Sequence, residues 1–164
     1  MGLLGQKRSE RGIVRANIAR HRSSELPMTN TGQCRCGAVR WASSEPPITS
    51  RVCWCRDCQY FASGNGTVSV CFRSASFTVE GLTQDYASTA DSVNAMHRRF
   101  CPTCGTPLFS QAEARPHLIF VRGGSFDHPE LARPVMTIWT SSAPPWACMD
   151  AELPKVERQP APAG

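Results

Sequence analysis

Cys101-Pro102-Thr103-Cys104-Gly105 has the form of a metal knuckle. In such a turn main-chain N–H groups face the sulfurs, and the glycine behind the second cysteine supplies the positive φ that the turn requires. Cys34-Arg35-Cys36-Gly37 has the same shape as a C-x-C pair. Two thiol pairs so far apart in sequence predict one four-thiolate site that ties the start of a domain to its middle. No coordination corner is left open, so the predicted role is structural. Zinc is the expected ion, because tetrahedral thiolate sites are mostly zinc; an iron site of rubredoxin type draws on two C-x-x-C pairs.

Between the two pairs stands Cys53-Trp54-Cys55-Arg56-Asp57-Cys58. Three thiols within six residues can converge on one ion without long-range folding. The informative number is three. A closed structural site takes four protein ligands, whereas a reactive one keeps a corner for water or substrate. The loop therefore predicts a second, exchangeable zinc, making two per chain. The plainer alternatives are ordinary buried cysteines, or one of the three replacing a ligand in a single shared site. Cys71 and Cys148 have no partner in sequence and read as small hydrophobes.

The 164 residues suit one domain with its own core. A 41% hydrophobic share with 13 prolines and 12 glycines predicts many turns and few long helices. The formal charge of +5 is uneven: residues 1–27 carry six basic groups against two acidic ones, leaving the rest nearly neutral. Bulk charge thus gives a nucleic-acid reading no support. Nine cysteines would suit a secreted disulfide scaffold. No apolar run, however, is long enough for a signal peptide or membrane span, and the spacings are those of metal sites. Metal-bound thiolates in a reducing, cytoplasmic setting are expected.

Residues 1–27 read as a basic disordered extension, with Met28 a candidate initiator; 28–153 as the domain; and 154–164 as a flexible tail. Strands are expected around Val39 and Trp41, over Val68, Val70 and Phe72 with Thr67, Ser69 and Cys71 on the opposite face, and at Phe77–Val79. Leu118–Val121 and Val135–Trp139 extend the series. Cys58 to Ala62 suggests one helical turn ending at Gly64, Asp85 to Asn94 a polar loop, and Trp146 a side chain packed back on the core. The sum is a mainly-β domain of short strands.

Thr31-Gly-Gln-Cys-Arg-Cys-Gly37, the Cys53-x-Cys55-x-x-Cys58 loop, Arg98-Arg-Phe-Cys-Pro-Thr-Cys-Gly-Thr-Pro-Leu108 and Ile138-Trp139…Pro145-Trp146 together resemble the glutathione-dependent formaldehyde-activating, centromere-protein-V-like family. The resemblance covers about residues 29–153. It implies a β-tent (Mss4-like) fold of small antiparallel sheets around a zinc-stapled core with short helical turns. It implies a structural zinc at Cys34, Cys36, Cys101 and Cys104, and a catalytic zinc at Cys53, Cys55 and Cys58. Trp54, Gln59 and Tyr60 stand where the family often has His or small and basic residues, and they predict a more aromatic site.

The expected activity is carbon–sulfur chemistry: a lyase, or synthase in reverse, that adds a thiol such as glutathione to formaldehyde or a related small aldehyde. A metal-held thiol loses its proton near neutral pH, and zinc adds no redox chemistry. Three thiolates on Zn²⁺ leave a net charge of −1, which Arg35, Arg51 or Arg56 would offset, or these would hold glutathione carboxylates. Asp57 is a candidate acid or base, or a helix cap; His97 and His117 are candidates for proton transfer. The alternative is a non-catalytic zinc scaffold that binds a partner, for which fold alone is no argument either way. A third reading, a zinc-ribbon nucleic-acid binder, would need residues 1–27 as a basic arm.

Overall fold

Both knuckle glycines adopt the expected left-handed conformation, Gly37 at φ 76° and Gly105 at φ 71°. Gly37 N–H donates to the Cys34 carbonyl at 3.0 Å and Gly105 N–H to the Cys101 carbonyl at 2.9 Å, closing each turn over its sulfurs. The computed structural model describes residues 30–160, so the readings made of residues 1–27 and Met28 lie outside the described residues.

In chain order the strands are β1 (Asn30–Gln33), β2 (Arg40–Ser43), β3 (Thr49–Cys53), β4 (Thr67–Arg73), β5 (Phe77–Glu80), β6 (Gln84–Thr89), β7 (Ala95–Phe100), β8 (Pro107–Ala112), β9 (Leu118–Arg122), β10 (Thr137–Ile138) and β11 (Lys155–Val156). One short helix, α1 (Arg56–Phe61), follows β3. The first sheet has three strands in the order β1-β2-β5, and the second has eight in the order β11-β10-β3-β4-β9-β8-β7-β6. The fold is mainly β, with two sheets, one helix and a few helical turns. Pairing is antiparallel except where β10 lies parallel to β3 and β11.

The core lies between the sheets and is largely aromatic. Trp41 of β2 stacks on Phe77 with ring centroids 5.4 Å apart and meets Phe126 edge-on at 4.7 Å. Phe77 in turn meets Phe109 edge-on at 5.3 Å. The Trp41 indole N–H donates to Ser125 Oγ at 3.2 Å, so the buried ring leaves no orphan donor. Val70, Phe72 and Val121 complete this layer, each fully buried.

Alternation along β4 then forces the other face of the large sheet to be polar. Ser69 pairs with Arg51 on β3 and with Arg122 on β9, so these three share one row across three strands. Arg98 of β7 pairs with Ser110 of β8, and Ser110 pairs with Phe120 of β9. A face carrying Arg51, Cys53, Arg98 and Arg122 cannot be core. It is the floor of the site.

The structure departs from several expectations. Residues 85–89, expected within the loop 85–94, belong to strand β6; it is an edge strand with most side chains exposed, so no apolar alternation marks it. Within the stretch 154–164, expected as a flexible tail, Lys155–Val156 pair with β10, and Thr137 N–H donates to the Pro154 carbonyl. Only Thr137–Ile138 of the 135–139 run is strand, because Trp139 turns left-handed at φ 58°. Trp146 does not pack on the core, being 69% exposed. Cys148 is exposed as well, and only Cys71 behaves as a small buried hydrophobe.

His97 stitches three strands. Its Nδ1 lies 2.5 Å from Asp85 Oδ2 on β6 and its Nε2 lies 3.2 Å from Glu113 Oε1 just after β8. The hydrogen bond to Asp85, seconded by Glu113, raises the pKa of the ring above its ordinary value. A group with a raised folded-state pKa stabilises fully below its unfolded value, about 6.5, and that contribution disappears as pH rises through the folded value. The melting temperature should therefore fall as pH is raised through this window. His97→Gln should flatten that dependence; an unchanged pH profile in the variant would refute the role.

Candidate functional site

The seven knuckle and loop cysteines separate into two groups. Cys34, Cys36, Cys101 and Cys104 offer Sγ atoms that all lie within 4.8 Å of one another. Cys34 Sγ is 3.5 Å from Cys36 Sγ, and Cys36 Sγ is 3.7 Å from Cys101 Sγ. Four thiolates around one zinc would stand roughly 3.8 Å apart, since Zn–S bonds of about 2.3 Å meet at tetrahedral angles. The donor set fits the ion. Val39 N–H donates to Cys34 Sγ at 3.3 Å, as knuckle geometry requires. Thr106 Oγ1 lies 3.1 Å from Cys104 Sγ and accepts from Arg35 N–H at 3.2 Å, bridging the knuckles. That hydroxyl contact draws the Cys104 thiol down to about 5.

Cys53, Cys55 and Cys58 form the second group, again with all Sγ atoms within 4.8 Å. No fourth Cys, His, Asp or Glu joins them among the described residues. Cys53 ends β3, and the chain then turns into α1, which carries Cys58. The helix is placed by Gln59, buried, whose Nε2 donates to the Trp54 carbonyl at 2.6 Å and to the Ser142 carbonyl at 2.9 Å. Hydrogen bonds from Cys53 and Cys55 lower the Cys58 thiol to about 2, while the same contacts raise Cys53 above the ordinary thiol range. A cation bound by the trio would displace the thiol protons that remain.

The three thiols open on a cleft of about 90 Å³ over the polar face of the large sheet. Its walls include Arg51, Arg98, Arg115 and Arg122, together with Phe120 and Trp139. Arg122 Nη1 donates to Ser69 Oγ at 2.8 Å. Arg51 lies over the Phe120 ring, 4.6 Å from its centroid, and burial lowers its pKa. Trp139, Met136 and Val156 pack against the thiol group.

A family model described as glutathione-dependent formaldehyde-activating enzyme matches residues 29–142. The chain belongs to this family. No curated protein matches it. A crystal structure of a Rhodobacter sphaeroides protein, a structural-genomics target, is similar at 20% identity over 59% of this chain and 87% of that chain, with a TM-score of 0.47.

Within this glutathione-dependent formaldehyde-activating enzyme family member, the supporting residues sort differently from expectation. Of the three arginines expected near the loop, only Arg51 reaches the cleft; Arg35 stands beside the four-cysteine group, and Arg56 faces outward over Tyr60 at 5.1 Å. Asp57 is not a cap: the helix begins at Arg56 without a side-chain cap bond from its own segment, and Asp91 Oδ2 accepts the Arg56 N–H at 2.9 Å. Asp57 instead holds Arg98 Nη2 at 2.5 Å, and its carboxyl, partly desolvated, is raised despite that partner. Neither His97 nor His117 lines the cleft. The aromatic site arises from other residues than expected, since Trp54 is buried away from the cleft and Tyr60 is 76% exposed. Arg98, Arg115 and Arg122 went unseen in the sequence. The one hint was Phe120-x-Arg122 continuing the alternation of β9 onto the polar face.

Proposed function

We propose that the chain is a zinc-dependent carbon–sulfur lyase, reversible as a synthase, that joins a thiol such as glutathione to formaldehyde or a related small aldehyde. Cys34, Cys36, Cys101 and Cys104 would hold a structural zinc, and Cys53, Cys55 and Cys58 a catalytic one. The observation that carries this reading is the three-sulfur group, without a fourth Cys, His, Asp or Glu among the described residues, opening on a cleft. When bound there, zinc supplies the acidity that lets a thiol act as thiolate near neutral pH.

The remaining contributions come from the chain. Cys53 ends a strand, Cys58 stands on a helix and Cys55 sits in the short turn between them, so the three sulfurs are brought together before any substrate enters. Arg51 and Arg122 flank them from the sheet and offset the −1 charge of three thiolates on a dication. Trp139 and Val156 shield one side from water. All nine cysteines are free thiols, as the chemistry needs. A non-catalytic scaffold would require a metal group without an adjoining cleft, and the cleft of arginines beside the thiols weighs against it. Among the described residues no helix is long and apolar enough to cross a membrane.

Zinc counted per chain, before and after dialysis against glutathione, tests the assignment. Two ions are expected, one of them perturbed or withdrawn by the thiol. A single ion, or two that ignore thiols, would remove the basis for the enzyme.

A further inference from the structure

The cleft carries more positive charge than the metal-binding thiols require. Arg98 is paired with Asp57, but Arg51, Arg115 and Arg122 have no carboxylate within 4.0 Å among the described residues. Asp91 is the carboxylate in the cleft wall, and it is already engaged by the Arg56 N–H. Three thiolates on a dication carry −1, and Asp91 another −1, against three guanidiniums. The cleft is left with a positive surplus before substrate enters. Arg122 is 9% exposed and Arg51 is half-buried over the Phe120 ring, so water does not simply dissolve the imbalance.

Position says which substrate supplies the countercharge. Arg51 and Cys53 alternate on β3, so their Cα atoms stand roughly 7 Å apart on the same face. Arg122 lies in the same cross-strand row as Arg51, with Ser69 between them. A carboxylate seated on these guanidiniums shares one cleft with the three sulfurs. The carboxylates of glutathione lie a peptide unit or more from its own sulfur, so they point outward when that sulfur meets the thiol group. The cleft is also far below the roughly 300–1,000 Å³ of sites that enclose drug-sized ligands. It suits a small acid whose reacting carbon is next to its carboxylate.

We propose that Arg51, Arg115 and Arg122 form a carboxylate subsite, and that the aldehyde taken by this site is an aldehyde acid whose carboxylate is joined directly to the carbonyl carbon. The inference rests on the thiol–aldehyde reading given above. The planar guanidinium fork matches a carboxylate bidentately, and it holds the carbonyl carbon against an incoming thiolate. In the step itself the sulfur lone pair forms the C–S bond and the C=O π pair moves to oxygen. The proton lost by the thiol returns to that oxygen through solvent. The product is a hemithioacetal acid, and no oxidant or reductant enters.

Oxamate places a carboxylate beside an unreactive carbonyl, and acetamide keeps a carbonyl without the acid. Calorimetric titration of the zinc-loaded full chain should show oxamate binding and no acetamide binding. Arg115→Gln, in a turn where the backbone of the residue bonds to Ala112 and Leu118, should weaken oxamate at least about tenfold while leaving the far-UV spectrum unchanged. Arg51→Gln should do the same. With glutathione present, glyoxylate should exchange with its hemithioacetal faster than acetaldehyde does, by magnetization-transfer NMR. Failure of the wild-type chain to bind oxamate, or binding indifferent to both substitutions, overturns the subsite even if glutathione still perturbs the zinc. Oxamate binding beside a metal inert to thiols would instead sink the proposed activity and leave the subsite standing.

Discussion

Cys101→Ala is expected to abolish the folded domain. Cys101 is fully buried, and its knuckle joins β7 to β8 in the large sheet, while Cys34 and Cys36 join β1 to β2 in the small one. A metal held by these four thiols would thus cross-link two sheets whose shared core is one aromatic layer. A structural zinc of this kind contributes about 10–16 kcal/mol of apparent binding free energy. A domain of this size has a net stability of about 5–15 kcal/mol. Losing one of four ligands removes most of the former, so the sheets lose their clasp by a margin the aromatic core cannot make good. Zinc content should fall, the β-sheet circular dichroism should collapse, and no cooperative melting should remain. Cys104→Ala removes an exposed ligand and should fail more mildly, with a lowered melting temperature. A Cys101→Ala chain that melts cooperatively near the wild-type temperature would show that the group is not a staple.

The grouping of the four knuckle cysteines was legible because ligand spacing is local. Cys34-x-Cys36-Gly37 and Cys101-x-x-Cys104-Gly105 each declare a turn, and tetrahedral coordination needs four thiols, so their pairing follows without knowledge of the strands. The Cys53–Cys58 loop was legible for the same reason. Strands β4 and β9 were visible through their alternation, down to the division of β4 into Val70 and Phe72 on one face and Ser69 and Cys71 on the other. What escaped was set by pairing across the chain. Strand β6 has the composition of a loop, and only its six-residue register with β7 makes it a strand. Lys155–Val156 are held by β10, a segment too short to announce itself. The arginine floor is the same kind of feature: Arg51, Ser69 and Arg122 become neighbours only through the order β3-β4-β9. Asp57 likewise looks like a helix cap in one dimension, and it is the distant Arg98 that claims it.

Cys55→Ala should leave a folded protein without carbon–sulfur chemistry. Cys55 sits in the turn between β3 and α1, 8% exposed, and its sulfur has no part in joining the sheets. The turn itself is held by others: Trp54 N–H donates to the Ile138 carbonyl at 3.0 Å, and Gln59 binds the Trp54 and Ser142 carbonyls. Loss of one small buried side chain costs about 1 kcal/mol, well inside the margin that the four-thiolate clasp maintains. The second ion fares differently. Two remaining thiols cannot define a three-ligand site, and changes even to groups behind metal ligands lower affinity or activity by about 10–100-fold. Removing a ligand should therefore reduce thiol addition by at least about a hundredfold while zinc drops from two ions to one and the melting curve barely moves. The contrast with Cys101→Ala is the decisive part, because it separates a site that holds the fold from one that uses it. Turnover surviving in the one-zinc Cys55→Ala chain would place the chemistry elsewhere, whatever the sulfurs of Cys53 and Cys58 still bind.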